Sequence, residues 1–356
     1  MSTYAIVIPP PPPFSSVKKP VFIRSVWANN LESEFSLIRS LIDRFPFISM
    51  DTEFPGVIYQ SDIHDKNPIE HYNILKMNVD ALKLIQVGIT LTDAYGNLPD
   101  FGCNFGFIWE FNFRDFDVLH DDHAPSSIEL LRDHGMDFKK TRARGADTTR
   151  FAELMMSSGL LCNDAVSYVT FHSAYDFGYL IKVLTGSQLP GVLTEFLGLL
   201  RVFFGERVYD VKHMIVFFPG LYGGLDRVAD ALMVNRLVGN SHQAGSDSLV
   251  TWHAFQKLKQ VYLEDNEART EKFGGVLFGL ELLPLSTLDS SFNSFNVKKF
   301  DAAFAVNPLY HQISAQFDEG GAKGLLLNNL GIYSNCRVLF GSFEVPWEIC
   351  TRNNST

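Results

Sequence analysis

Long apolar runs are missing from this sequence. Nowhere do about 18 apolar residues follow one another, the length needed to cross a bilayer, so no membrane span and no membrane partner are expected. Cysteine is scarce: Cys103, Cys162, Cys336 and Cys350 lie far apart and lack CxxC spacing. That excludes a disulfide framework and suggests reduced thiols in a protein of the cytoplasm and nucleus. Positive charge is in deficit, with 30 Lys and Arg against 40 Asp and Glu and a net charge of -10. No broad cationic surface can coat a duplex, so any nucleic acid must be held by a local basic lining or by bound metal. The opening "MSTYAIVIPPPPPF" has no basic n-region and its apolar stretch stops at Pro9 to Pro13, so no signal peptide is expected.

What is present describes a globular protein. The 356 residues are 46% hydrophobic and 20% charged and include 31 Phe, enough apolar surface for one large domain or two small ones. Residues 1–20 read as a flexible Pro-rich leader. From Asn29, Leu31, Phe35, Ile38, Ile42 and Phe45 recur at helical spacing until Pro46. Strands are expected in "FISMDTEF", "LKLIQVGITLTD" and "FIWEFNF", an antiparallel meander. "SSIELLRDHG" suggests a helix opened by a capping box of Ser126 and Glu129, and "DTTRFAELMMSSG" a helix capped by Asp147 and closed by Gly159. Strands in "VSYVTF" and "RVYDVKHMI" then alternate with helices in "YDFGYLIKVLTG", "TEFLGLLRVFFG" and "GSDSLVTWHAFQKLKQVYLED". Strands separated by helices predict an α/β architecture with a mixed sheet. Residues 283–356 mix Ser, Asn and Phe without a sustained period and read as a C-terminal extension beyond the domain at 21–282.

Asp51 and Glu53 follow the apolar "FISM". Residues i and i+2 of a strand share a face, so the two carboxylates project together and repel unless hard divalent cations sit between them. Alone, the pair also fits a solvated strand edge. Asp176 and Asp247 each stand at a helix start, where a capping role would explain them. His242 lies five residues before Asp247 and is suited to take up or orient a proton. In the order D-x-E, D, H-x(4)-D, these residues answer one demand. Four carboxylates can hold two cations about 3.5–4 Å apart for phosphodiester cleavage, with no phosphate loop and no nucleophilic Ser required.

Other clusters are set aside. Four consecutive residues cannot converge on one ion, so "HDDH" at 120–123 is read as a solvated acidic loop. His172 and His213 are expected to be packed or hydrogen-bonded, and the basic run "KKTRAR" at 139–144 to be a solvated helix face or loop.

"SMDTEFPGV", "HYNILKMNVDALKLIQVGITL", "FHSAYDFGYLIKVLT", "RVYDVKHM", "LYGGLDRVA" and "HQAGSDSLVTWHAFQKL" resemble the DEDDh superfamily of 3′-to-5′ exonucleases. Within it they are similar to the CCR-associated factor deadenylases (the Caf-one or Pop-two type), in plant-like wording. The resemblance implies an RNase H-like fold with a mixed five- to six-stranded sheet and helices on both faces. It implies Asp51, Glu53, Asp176 and Asp247 as ligands of two Mg²⁺ or Mn²⁺ ions and His242 as the residue acting on the attacking water. The implied reaction shortens the 3′ poly(A) tail of mRNA and releases 5′-AMP. The implied partners are that single-stranded tail, the CCR-NOT scaffold and a second deadenylase subunit. Phe54 is a candidate to stack on a base, or else a core Phe of the strand. Two other readings remain: a DEDDh exonuclease for other RNA or DNA 3′ ends, and a scaffold or transcription-regulator subunit whose own catalysis is dispensable.

Overall fold

The computed structural model describes residues 19–60 and 67–282. The expected extension at 283–356, and all but the last two residues of the expected leader, lie outside them. Six strands form one mixed sheet: β1 (Val21–Val26), β2 (Phe47–Glu53), β3 (Gln86–Thr92), β4 (Gly106–Asn112), β5 (Ser167–Thr170) and β6 (Val208–Asp210), in the order β1-β4-β3-β2-β5-β6. The β2-β3-β4 meander is antiparallel, whereas β1 pairs with β4, β5 with β2 and β6 with β5 in parallel. This is the expected RNase H-like α/β arrangement.

Strand alternation sorts the two layers. Ile48, Met50, Val87, Ile89, Leu91, Trp109 and Phe111 bury one face of the sheet. Against it pack α1 (Leu31–Leu41), α2 (Pro68–Ala81), α5 (Thr148–Met156), α6 (Ala174–Thr185) and α7 (Leu193–Phe204), between which α3 (Pro125–Asp133) and α4 (Phe138–Arg144) connect. On the other face lie α8 (Val211–Ile215), α9 (Leu225–Ala231) and the long α10 (Ala244–Tyr262), followed by α11 (Glu267–Glu271). β3 is buried at every residue, as a central strand covered on both sides must be.

Gly88 sets how closely α10 approaches. A Cβ there would overlap the Ala244 carbonyl and the Gly245 nitrogen at the start of that helix. One step along the same face, Thr90 Oγ1 and Ser248 Oγ share a hydrogen bond of 2.8 Å, and Phe47 meets Trp252 with ring centroids 5.6 Å apart. α10 is therefore keyed to the sheet at its N-terminal end, the end that carries Asp247.

Several local expectations are corrected. β1 and α2 were not foreseen. β1 is an edge strand of six residues with no clean alternation, and the inward stripe of α2 (Tyr72, Leu75, Val79) is interrupted by the buried Asn78. Asn78 holds the loop after β2: its Oδ1 accepts from Ile58 N (2.7 Å) and Tyr59 N (2.9 Å), and its Nδ2 donates to Tyr59 O (2.9 Å). The helix containing Ser126 and Glu129 starts with Pro125 after Ala124 and has no side-chain cap, so the expected capping box does not form. "RVYDVKHMI" is a strand only as far as Asp210, whose carboxylate accepts from Lys212 N (2.9 Å) and turns the chain into α8. The Asp147 cap of α5 forms as expected.

Gly88→Ala tests the keying of α10. The substitution should cost about 1–3 kcal/mol, the range for overpacking a tight interface, read from the denaturant midpoint. An unchanged midpoint would show that α10 has room to move.

Candidate active site

β2 and β5 run in parallel, so their C-terminal ends meet at one edge of the sheet, and α6 begins just beyond β5. α10 starts over the opposite face of the same edge. Asp51 and Glu53 end β2, Asp176 sits in the first turn of α6 and Asp247 in the first turn of α10. Residues 71 to 196 positions apart in sequence are thus gathered from three elements. Glu53, Asp176 and Asp247 are buried, and Asp51 is half-buried.

His242 joins them in a left-handed backbone conformation (φ 58°), unusual for a residue with a side chain and costing roughly 1–2 kcal/mol. Its N–H donates to Asp247 Oδ2 at 2.9 Å, tying the histidine loop to the helix that follows. Donor atoms of Glu53, His242 and Asp247 all lie within 4.8 Å of one another. Phe54 stacks on Tyr175 (5.3 Å, 17°) and leans on Tyr179 (5.0 Å, 31°), half-buried at the core's margin.

Burial dominates the electrostatics of the site. It pushes Asp51 well above the ordinary carboxylate range, reinforced by the charges of Asp176, Asp247 and Glu53 and opposed by Arg236. Glu53 is raised strongly by burial and then by Asp247, Asp176 and Glu110. Burial lifts Asp176 to about 7 against a hydrogen bond from Thr52, and raises Asp247 against the guanidinium of Arg236. These acids crowd together without enough local positive charge. An all-oxygen donor set with a neighbouring imidazole suits a hard divalent cation, which would remove the repulsion. The residues fit that group.

Sequence reasoning missed the side chains that hold the acids. Thr52 points away from Asp51 and Glu53, and its Oγ1 donates to Asp176 Oδ1 at 2.6 Å. Arg236 donates to Asp247 Oδ1, to Ser246 Oγ (2.6 Å) and to Asp226 Oδ1 (2.6 Å), and Ser241 Oγ donates to Asp226 Oδ2 at 2.6 Å. The ring of His134 meets that of His242 edge-on at 4.9 Å, with its Nδ1 directed at Leu130 O at 2.8 Å. Only an alternation argument at Thr52 had any signal in the sequence.

The clusters set aside behave as expected. His213 Nδ1 lies 3.1 Å from Glu281 Oε1 and His172 packs edge-on against Phe278. The "HDDH" side chains bind neighbours separately, Asp121 to Lys83 (2.8 Å) and His120 to Asp117 (3.0 Å), and bring together no metal-holding group among the described residues. "KKTRAR" falls on α4, where Lys140 lies 4.4 Å over the Trp27 ring.

The raised carboxyls give the metal-free protein a definite pH dependence. A carboxyl with a higher pKa in the folded state makes the fold hold more protons than the unfolded chain. This cluster's contribution to stability is therefore fully present below the usual carboxylate value near 4 and is lost as pH rises towards 7, the value reached by Asp176. Cations compete with those protons. Added Mn²⁺ should stabilise the fold by about 2.7 kcal/mol at a hundredfold excess over Kd and so raise the unfolding midpoint, by more at about pH 8 than at about pH 5.5. A thermal-shift series in which the Mn²⁺ increment is absent or independent of pH would contradict this.

Comparison with known proteins supplies the family. Residues 26–147 match the profile described as CAF1 family ribonuclease, and residues 284–354 match one described as Condensin complex subunit 2. The chain is 53% identical over 261 residues to "Probable CCR4-associated factor 1 homolog 10" of Arabidopsis thaliana, covering 73% of this chain and 92% of the relative. It is 43% identical over 243 residues to "Poly(A) ribonuclease pop2" of Schizosaccharomyces pombe, covering 68% of this chain and 70% of the relative. Among solved structures it is similar to the Mg²⁺- and Mn²⁺-bound form of S. pombe Pop2p, with a TM-score of 0.67 and 41% identity over 72% of this chain and 99% of that one. It is also similar to a chain in the structure described as yeast NOT1 MIF4G domain co-crystallized with CAF1, with a TM-score of 0.60 and 31% identity over 77% of this chain and 100% of that one. The carboxylate cluster therefore sits in a chain that belongs to the CAF1 family of ribonucleases.

Proposed function

We propose that this protein is a 3′-to-5′ exoribonuclease that shortens the poly(A) tail of mRNA and releases 5′-AMP, as a subunit of a CCR4-NOT complex. The observation that carries the reading is the gathering of Asp51, Glu53, Asp176, Asp247 and His242 at one strand end. Support for the substrate and the assembly comes from the relatives, one a poly(A) ribonuclease and one crystallised with NOT1. The scaffold and a second deadenylase are accordingly the proposed protein partners, and cytoplasm and nucleus the proposed compartments.

Asp51, Glu53, Asp176 and Asp247 would hold two divalent cations, Mg²⁺ or Mn²⁺, the metals bound by S. pombe Pop2p. Such ions supply a more acidic water and neutralise charge on a phosphodiester. The chain's own residues do the rest. Thr52 holds Asp176 and Arg236 holds Asp247, so the carboxylates keep their places without rearranging. His242, fixed through its backbone to Asp247, accepts the proton of the attacking water. Phe54, held against Tyr175 and Tyr179, would offer an aromatic edge to the terminal base. A purely scaffolding subunit gains nothing from carboxylates crowded out of water, whose burial costs stability.

The direct test is a 5′-labelled RNA ending in adenosines, incubated with the full chain and Mg²⁺. The parent should give a ladder shortened one nucleotide at a time with AMP as product. Asp51→Asn should slow it on the order of 10³-fold, equivalent to about 4 kcal/mol of transition-state stabilisation. Equal shortening by the variant, or products longer than one nucleotide, would refute the reading.

A further inference from the structure

The chain from Leu221 to Arg227 forms a braced loop beside the acidic cluster. Its two ends are anchored in the apolar cluster shared with α10, by Leu221 before the turn and by Val228 on α9. Between them Gly223 takes a left-handed conformation (φ 97°), which costs little for a residue without Cβ, and its carbonyl accepts from Lys212 Nζ. A Cβ at Gly223 would come within 2.6 Å of Arg227 Cδ, so the glycine also leaves room for that side chain to fold back along the loop. Asp226 joins the loop to the site. Its Oδ1 accepts from the Arg236 guanidinium that grips Asp247, and its Oδ2 from Ser241, the neighbour of His242.

This loop presents an aromatic ring and a cation to solvent. Tyr222 is 59% exposed, and the Arg227 guanidinium lies 3.9 Å over its ring centroid while donating to its hydroxyl. A cation over an aromatic face is held by the ring quadrupole, so the pair is ordered before anything binds, which lowers the ordering cost a ligand would otherwise meet. Arg227 is itself exposed. The carboxylate beside it, Asp226, is paired with Arg236 instead, and among the described residues Arg227 forms no ion pair. In a chain with a net charge of -10 it is a cation left unneutralised at the edge of an acidic site. Lys212, tied to the same loop, adds a second positive charge over the rings of Phe171 (5.8 Å) and Phe278 (5.5 Å).

We propose that Tyr222 and Arg227 form a subsite for the single RNA strand upstream of the two nucleotides joined by the scissile linkage, Tyr222 stacking on a base and Arg227 pairing with a backbone phosphate. The inference rests on the poly(A) exoribonuclease reading above and names where the strand runs once it leaves the acidic cluster. The Asp226 and Arg236 side chains both intervene between the loop and Asp247, so the loop lies beyond the linkage being cut. RNA carries a negative charge at every linkage, which the carboxylates repel, and a cation outside their cluster offsets that repulsion. One of the five N–H donors of Arg227 goes to the Tyr222 hydroxyl, and the others remain for phosphate oxygens. A ring with a guanidinium beside it accepts any base through its π face, without base-edge contacts, as an enzyme moving along a strand requires.

The experiment separates KM from kcat for 5′-labelled A-tailed RNA, using the full chain with Mg²⁺. Tyr222→Ala should raise KM about tenfold, the order expected for one lost base stack, with kcat within about twofold of the parent, and Tyr222→Trp should restore the parent's KM. Arg227→Gln should also raise KM. In an Asp51→Asn background followed by anisotropy, it should reduce the slope of log affinity against log salt by about one, and Arg227→Lys should keep that slope. On the dinucleotide ApA, which ends before the loop, both KM penalties should fall below about twofold. Unchanged KM and salt slope in Tyr222→Ala and Arg227→Gln, with a parent that shortens A-tailed RNA, overturn the subsite and leave the exoribonuclease reading intact. A fall in kcat that is equal on ApA does the same, since it assigns the loop to holding Asp247. Binding that depends on Tyr222 and Arg227 with no shortening by the parent overturns the exoribonuclease reading alone. A parent that neither binds nor shortens A-tailed RNA overturns both.

Discussion

Repulsion among buried carboxylates is the constraint around which this end of the molecule is organised. Glu53 and Asp247 bring oxygens within 4.8 Å of each other in a site from which water is largely excluded. At an effective dielectric of about 20, two such charges repel by about 3 kcal/mol, and Asp51 and Asp176 add to the sum. A fold keeps that arrangement only if other interactions hold each acid in place and if something else neutralises the charge.

The holding devices come from both layers of the sheet. Gly88 lets the start of α10 settle on β3, which sets Asp247 over Asp51 and Glu53. Thr52, on the reverse side of β2, grips Asp176 from α6, so one short strand serves two opposite layers. Arg236 ties Asp247 to Asp226, and Asp226 in turn holds Ser241 beside the strained His242. Asn78 fixes the loop that follows Phe54. None of these residues need touch substrate. They act by denying the carboxylates any other position, so that cations arrive at a site already formed.

What the sequence made legible follows from how far each interaction reaches along the chain. Asp51 and Glu53 were readable because strand alternation is a rule of neighbouring residues. The strong apolar periods of α1, α6, α7 and α10 were readable for the same reason; Asp176, His242 and Asp247 stood out only as residues at helix starts and by spacing, and the resemblance supplied their roles. Where pairing is between distant segments, local pattern failed. β1 is short and lies at the edge, α2 interrupts its own stripe with an asparagine that serves another loop, and β6 stops early because Asp210 caps a helix. Thr52, Arg236 and Gln86 looked like ordinary strand or loop residues, since the partners of their side chains lie 124, 11 and 26 positions away.

The central claim is that this crowded set of acids exists to hold divalent cations, and counting those cations tests it most directly. Mn²⁺ titration of the full chain at about pH 8, followed by electron paramagnetic resonance, should find two ions per chain, and fewer in Asp51→Asn folded as well as the parent. No bound ion in the parent, or the same number in both proteins, would contradict the account.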